Sequence, residues 1–324
     1  MGVLTYCLAG EAFVLIGAWE AFVSVYAHLN SSASSLSSPP DRSYSTTTTT
    51  KTTSRKIKKS LSFSFIAGAA FSFVFILNSL VSLLNAIRRN DRVGLAIQLE
   101  IAAIASLFLL YSVVGFFVDY TDSISLPSSL LSLISLFAFG QEFLHFYLQR
   151  KDPSGIENRY FDLLLLPIGV CFLSSILELA WPKSVLPSLV RGVALVLQGT
   201  WFFQMGFSFF TDFMVHGCAL HERSRANYTV KCKGHPEYHR GRAIATLQFN
   251  CHLAFLVILV VVLYSFLAGK YGIRGDYTAY KPINVELQKM YHHPRFTLYS
   301  DCDEDDEIKE EQKAEKQESL VILG

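Results

Sequence analysis

Long apolar runs almost empty of charge decide what this chain can become. A helix needs roughly 20 apolar residues to cross a hydrocarbon layer about 30 Å thick, because each residue adds only about 1.5 Å of rise. Seven segments reach that length, at about 2–29, 60–86, 94–118, 126–148, 160–180, 185–210 and 243–267. Of the 324 residues 51% are hydrophobic and 17% are charged, and the charges gather between these runs, so no soluble domain suits the chain. In lipid every backbone group must be paired internally, and uninterrupted apolar runs pair as helices rather than as the alternating strands of a barrel. The expected fold is all-α, a polytopic transmembrane bundle of seven spans.

The spans divide the chain into a first span at 1–29, a Ser/Thr-rich basic loop at 30–59, a six-span bundle at 60–267 with a Cys/His-containing loop at 211–242, and an acidic tail at 268–324. The 30–59 segment has a run of threonines, Pro39-Pro40 and a basic end, a composition that cannot bury a core and reads as a disordered loop. In the tail, Tyr280-Lys281-Pro282-Ile283 has the form of a tyrosine-based sorting signal. The first span has no cationic region ahead of it and carries Glu11 and Glu20, so it reads as retained rather than cleaved. Net charge is +1 and the basic residues flank spans instead of forming one face, so no nucleic-acid partner is expected. The expected partner is the lipid bilayer, with a lipid or small-molecule ligand and self-association both open.

Lys and Arg total fifteen on the side of the 30–59 loop and the tail, against twelve on the other side. By the positive-inside rule this puts the N-terminus outside and the tail in the cytoplasm, in the secretory pathway or plasma membrane. Two features of the 211–242 loop lean the same way. Asn227-Tyr228-Thr229 is a glycosylation acceptor, and Cys218 and Cys232 would pair if the loop faces an oxidising lumen; otherwise they are two unpaired thiols.

Ionisable groups inside spans cost roughly 2.5–3.5 kcal/mol each on insertion, so each calls for a partner or a role. Span alternation sorts Glu11, Glu100, Glu142, His145, Gln198, Gln204, Gln248, Asn250 and His252 into the outer half of the membrane. Glu142 and His145 share a helical face, as do Gln248 and His252, while Arg191, Gln198, Trp201 and Met205 form one stripe. Such a cluster either lines a polar cavity that binds a ligand or cross-links neighbouring helices. In the other half, Arg191 is expected to pair with Glu20 or Glu178.

Glu142, His145, His239 and His252 are the candidate ligands of a metal-dependent lipid hydrolase, the only reading under which a cofactor, zinc, is expected. His216, His221, His235 and His239 crowd the 211–242 loop, and Gly234 and Pro236 argue against a regular helix through the last two. The chain has no Gly-x-Ser-x-Gly, P-loop or dinucleotide fingerprint. A channel or carrier would want broken helices at midplane, which the Gly and Pro positions do not supply. The favoured reading is a non-enzymatic trafficking, scaffold or ligand-binding protein.

The run from Leu197 to Phe207 (Leu-Gln-Gly-Thr-Trp-Phe-Phe-Gln-Met-Gly-Phe), followed by Gly217-Cys218, Lys231-Cys232, His239-Arg240 and Leu247-Gln248-Phe249-Asn250, resembles the transmembrane protein 45 family. Glu142 and the residues to Tyr147 fit as well, and the resemblance covers most of 126–267. In the first span Gly17-Ala18-Trp19 matches, whereas the family's usual His-x-x-Pro-Gly opening reads Tyr6-Cys7-Leu8-Ala9-Gly10. The resemblance implies a seven-span membrane protein of plants or animals carrying a domain of unknown function, and it implies no particular activity.

Overall fold

A computed structural model describes residues 2–36, 47–120, 127–149, 152, 154–182, 184–211, 214–225 and 227–270. The tail beyond 270, with its acidic run and Tyr280, lies outside the described residues. Among the described residues there are seven helices: α1 (Val3–Leu36), α2 (Thr47–Arg88), α3 (Arg92–Tyr120), α4 (Ser128–Leu148), α5 (Glu157–Ala180), α6 (Leu186–Phe210) and α7 (His235–Lys270). All seven are long and apolar enough to cross a membrane. Large side chains such as Phe73, Leu77 and Leu84 on α2 and Phe255, Ile258 and Val262 on α7 face outward, as they must where the solvent is lipid. The protein is an integral, multi-pass helical bundle.

Two segments differ from the sequence expectation. The 30–59 stretch was expected to lack structure, but helical backbone continues to Leu36 and resumes at Thr47. Once a span has nucleated, each added residue costs only propagation, so a polar sequence can extend a helix it would not start. The 211–242 segment is not a plain loop. It holds an antiparallel hairpin of β1 (Cys218–Ser224) and β2 (Asn227–Cys232), and α7 begins at His235. Pro236 is no obstacle there, because the first turn of a helix has no use for its missing N–H.

Helices α1 and α6 run antiparallel in close contact along a seam of glycines. Gly10 and Gly17 on α1 are seven residues apart, as are Gly192, Gly199 and Gly206 on α6. A Cβ added at Gly17 would lie 2.6 Å from the Gly192 carbonyl oxygen, and one at Gly199 would lie 2.6 Å from that of Gly10. Backbones approach this closely only where side chains are absent, which is how helices gain packing contact in lipid.

The main core joins α5, α6 and α7 around Trp201, which is fully buried. Its Nε1 donates to the Tyr160 carbonyl (3.0 Å), its ring stacks on Tyr160, and Phe249 meets it edge-on. Arg191, Gln198 and Met205 are buried with it, so the stripe on α6 is one inward face.

The hairpin gathers the end of the bundle at which α1 begins, its outer end on the expected topology. Tyr228 and Val230 point inward among Phe209, Phe210 and Tyr6, and the Tyr6 and Tyr228 hydroxyls are hydrogen-bonded. The Ile156 amide donates to the Val230 carbonyl (3.1 Å), and the Val230 amide donates to Glu157 Oε2 (2.9 Å). The Cys218–Cys232 disulfide ties the hairpin's open end. In the α2–α3 turn, which Asn90 closes with φ 52°, Asp91 accepts hydrogen bonds from Ser224 (2.7 Å) and Asn227 (3.2 Å).

Candidate functional site

The polar residues of the outer half separate into two groups and two outliers. In the first group Gln198 Nε2 donates to Glu142 Oε1 (2.6 Å), and His145 Nδ1 lies 2.9 Å from Glu100 Oε2, so α3, α4 and α6 meet through side chains. Glu142 and His145 are buried, and Glu100 is partly exposed. The second group lies on the α5–α6–α7 side. There Tyr160 donates to Gln248 Oε1 (3.2 Å), Gln204 donates to Ser208 (3.0 Å), and His252 Nε2 is 3.5 Å from Gln204 Oε1. Glu11 and Asn250 belong to neither, because both are exposed on the outer surface of their helices.

The four candidate metal ligands do not converge. His145 faces Glu100, His252 packs edge-on to Trp201, and His239 stacks on His235 with ring nitrogens 3.2 Å apart. Among the described residues no three His, Cys, Asp or Glu side chains are grouped to hold a metal ion. Helical spacing alone put Glu142 and His145 on one face. The rotation of each helix then turned His252 toward α6 instead.

The first group opens onto a cavity of about 540 Å³ between α1, α2, α3, α4 and α6. Its outer pole is formed by Glu142, His145 and Gln149 on α4 with Tyr6 and Tyr228. Its middle is aromatic, with Phe13, Phe75, Phe108, Phe139 and Phe202 among the walls. Its inner pole holds Glu20, Glu178, Arg191 and Tyr111. Arg191 Nε donates to Glu20 Oε1 (2.8 Å), and the terminal guanidinium nitrogens bond Glu20 and Glu178. The arginine therefore engages both glutamates that were its candidate partners, binding α1, α5 and α6 together. Glu100, Gln198, Gln204, Gln248 and His252 are not among the residues that line this cavity.

At the outer pole two buried acceptors, Glu142 Oε2 and Gln149 Oε1, have no hydrogen-bond partner among the described residues, and His145 Nδ1 has only its contact with Glu100; Gln198 Oε1 is unpartnered as well but does not line the cavity. A buried polar atom left unpaired costs free energy, so such atoms mark places where something else supplies the bond.

Over this pole the hairpin is anchored by two carboxylates outside the spans. Burial works to raise the Asp91 pKa, but hydrogen bonds from Ser224, the Gly94 amide and Asn227 prevail and hold it below the ordinary carboxylate range. Asp152 is brought down to about 2, chiefly by the Ser154 hydroxyl and by Lys231, whose Nζ is 2.9 Å from Asp152 Oδ2 on the second strand.

Sequence reasoning passed over Gln149, Tyr6, Tyr228 and Tyr111. Gln149 was the most legible of these, since it lies seven residues from Glu142 and so on the same side of α4. Tyr6 and Tyr228 are 222 residues apart, and nothing local in the sequence couples them.

Residues 128–265 match a family model described as a family of unknown function (DUF716). This is the domain of unknown function that transmembrane protein 45 proteins carry. The match runs from the start of α4 into α7 and takes in Glu142, Gln149, Arg191, Gln198 and both disulfide cysteines. Helices α1 to α3, which complete the cavity wall, lie before it.

Proposed function

We propose that this chain binds an amphiphilic, lipid-derived ligand within its helical bundle. The observation that carries this is the cavity of about 540 Å³ with an aromatic middle, a polar group at each end and unpartnered acceptors at one of them. Ligand sites of about 300–1,000 Å³ are mostly apolar with a few placed polar groups, and this one fits that description. Glu142 bonded to Gln198 both cross-links α4 to α6 and turns its second oxygen to the ligand, so the cluster serves both of the roles open to it. On this reading the protein is non-enzymatic, and a trafficking, scaffold or transport-linked role follows ligand occupancy. The hairpin end then faces the lumen or the exterior and the tail the cytoplasm, since a disulfide such as Cys218–Cys232 persists on an oxidising side. A glycan on Asn227 would have to be added before folding, because its amide nitrogen donates to Asp91 once the hairpin forms.

The test is extraction of the purified protein with organic solvent, followed by mass spectrometry. Wild-type protein should release an amphiphile in stoichiometric amount. Ala12→Phe and Ala105→Phe, which fill the cavity from two walls, should release much less while still eluting as folded protein. Equal recovery from folded variants, or no bound amphiphile in the wild type, refutes the proposal.

A further inference from the structure

We infer that the ligand's head is a protonated amine, seated at the outer pole against Glu142 with its alkyl chain running inward along the aromatic wall. This rests on the ligand-binding reading and names the class of ligand.

With Glu142 ionised, the unpartnered atoms of the cavity's outer pole, Glu142 Oε2 and Gln149 Oε1, are both acceptors. Only a donor satisfies an acceptor, and an ammonium carries three donors and no acceptor. Glu142 Oε1 is already occupied by the Gln198 amide (2.6 Å), so Oε2 is the oxygen left to a head group in the cavity. Gln149 lies two turns further out on the same side of α4, where a second donor on the head, such as a hydroxyl, would meet it. A carboxylate or phosphate head would bring acceptors to acceptors.

Charge points the same way. Three carboxylates line the cavity, Glu20, Glu142 and Glu178, against one arginine. Arg191 is engaged by Glu20 and Glu178 at the inner pole, and His145 is turned to Glu100. Glu142 is left with the neutral amide of Gln198 as its hydrogen-bond partner. A carboxylate that is 4% exposed needs a counter-charge or a charge-assisted hydrogen bond, and an ammonium supplies both.

The cavity is deep enough for the rest of such a molecule. It extends inward to Val185 and Pro182, and from Phe202 to Ser188 along α6 fourteen residues span about 21 Å. That depth takes one extended alkyl chain lying against Phe13, Phe108 and Phe139.

The experiment uses the full chain in nanodiscs and three photo-crosslinkable probes of one length: octadecylamine, octadecanol and octadecanoate. The amine should label saturably and be displaced by unlabelled amine, with the acid at least about tenfold weaker, as expected for loss of a charge-assisted bond and gain of like charge. Crosslinked peptides should come from α1, α3 and α4. Glu142→Gln should lower amine labelling about tenfold or more and so remove the preference for the amine over octadecanol. Equal labelling by octadecanoate, or an unchanged amine preference in Glu142→Gln, overturns the inference about the head and leaves the ligand-binding reading standing. Absence of saturable labelling by all three probes overturns that reading itself. If Glu142→Gln fails to fold by gel filtration, the ranking of the three heads on wild-type protein decides.

Discussion

Replacing Gly199 by alanine puts a methyl carbon 2.6 Å from the Gly10 carbonyl oxygen and 2.8 Å from both the Val14 amide nitrogen and its Cγ2. Two of those atoms are backbone and cannot swing aside, so α1 and α6 must separate locally by roughly 1 Å to restore ordinary contact, as in any overpacked core. Overpacking of this kind costs about 1–3 kcal/mol. Alanine recovers up to about 1 kcal/mol of helix propensity over glycine. The net expectation is a loss of about 1–2 kcal/mol, and a larger loss for Gly199→Leu. Gly192→Ala should behave alike, since its Cβ would lie 2.6 Å from the Ala21 amide nitrogen. Gly269→Ala is the control: it lies in α7 with nothing within 4 Å, so only the propensity gain remains. The assay is reversible unfolding in mixed micelles at rising SDS fraction, followed by tryptophan fluorescence. Combining Gly10→Ala with Gly199→Ala should cost less than the sum of the two, because helices already parted need not part again. A Gly199→Ala protein as stable as wild type, or one no less stable than Gly269→Ala, would refute the close-packed seam.

Two further outcomes follow from the buried ion cluster and from the hairpin. Arg191→Met leaves Glu20 and Glu178 facing each other and should cost about 3–5 kcal/mol in the same unfolding assay, with much of that restored by adding Glu20→Gln and Glu178→Gln. Because Asp91 and Asp152 are held below their ordinary values in the fold, their contribution is fully present above about pH 4 and is lost as pH falls toward about 2 for Asp152. Amide exchange in the second strand should therefore quicken, relative to intrinsic rates, over that acidic interval, and Asp152→Asn together with Asp91→Asn should flatten the response; a pH-independent wild type would refute it.

The span count was legible because the length of an apolar run is a local property set by bilayer thickness. Alternating spans also order the polar residues along the bundle, since they fix which end of each helix lies beside which. What escaped was rotation about each helix axis. A soluble helix shows its buried face by its apolar stripe, but a helix that meets lipid outside and protein inside is apolar on both sides. Glu11 and Asn250 thus face outward although depth groups them with the cluster, while Gln149, on the same side of α4 as Glu142, was overlooked. The glycine seam carried a readable signal in its seven-residue spacing, though the spacing does not say which helix is the partner.

From residue order alone come seven helices long and apolar enough to cross a membrane, the position of each buried charge along its helix, and two cysteines near enough in sequence to pair. The tertiary structure alone decides that Arg191 takes both glutamates, that His252 and His239 turn away from Glu142, and that an oxygen of Glu142 faces an internal cavity without a partner. The physical reason is that hydrophobic length acts within one segment, whereas pairing and enclosure arise between segments far apart in the chain, through backbone shape and close contact that no single span encodes.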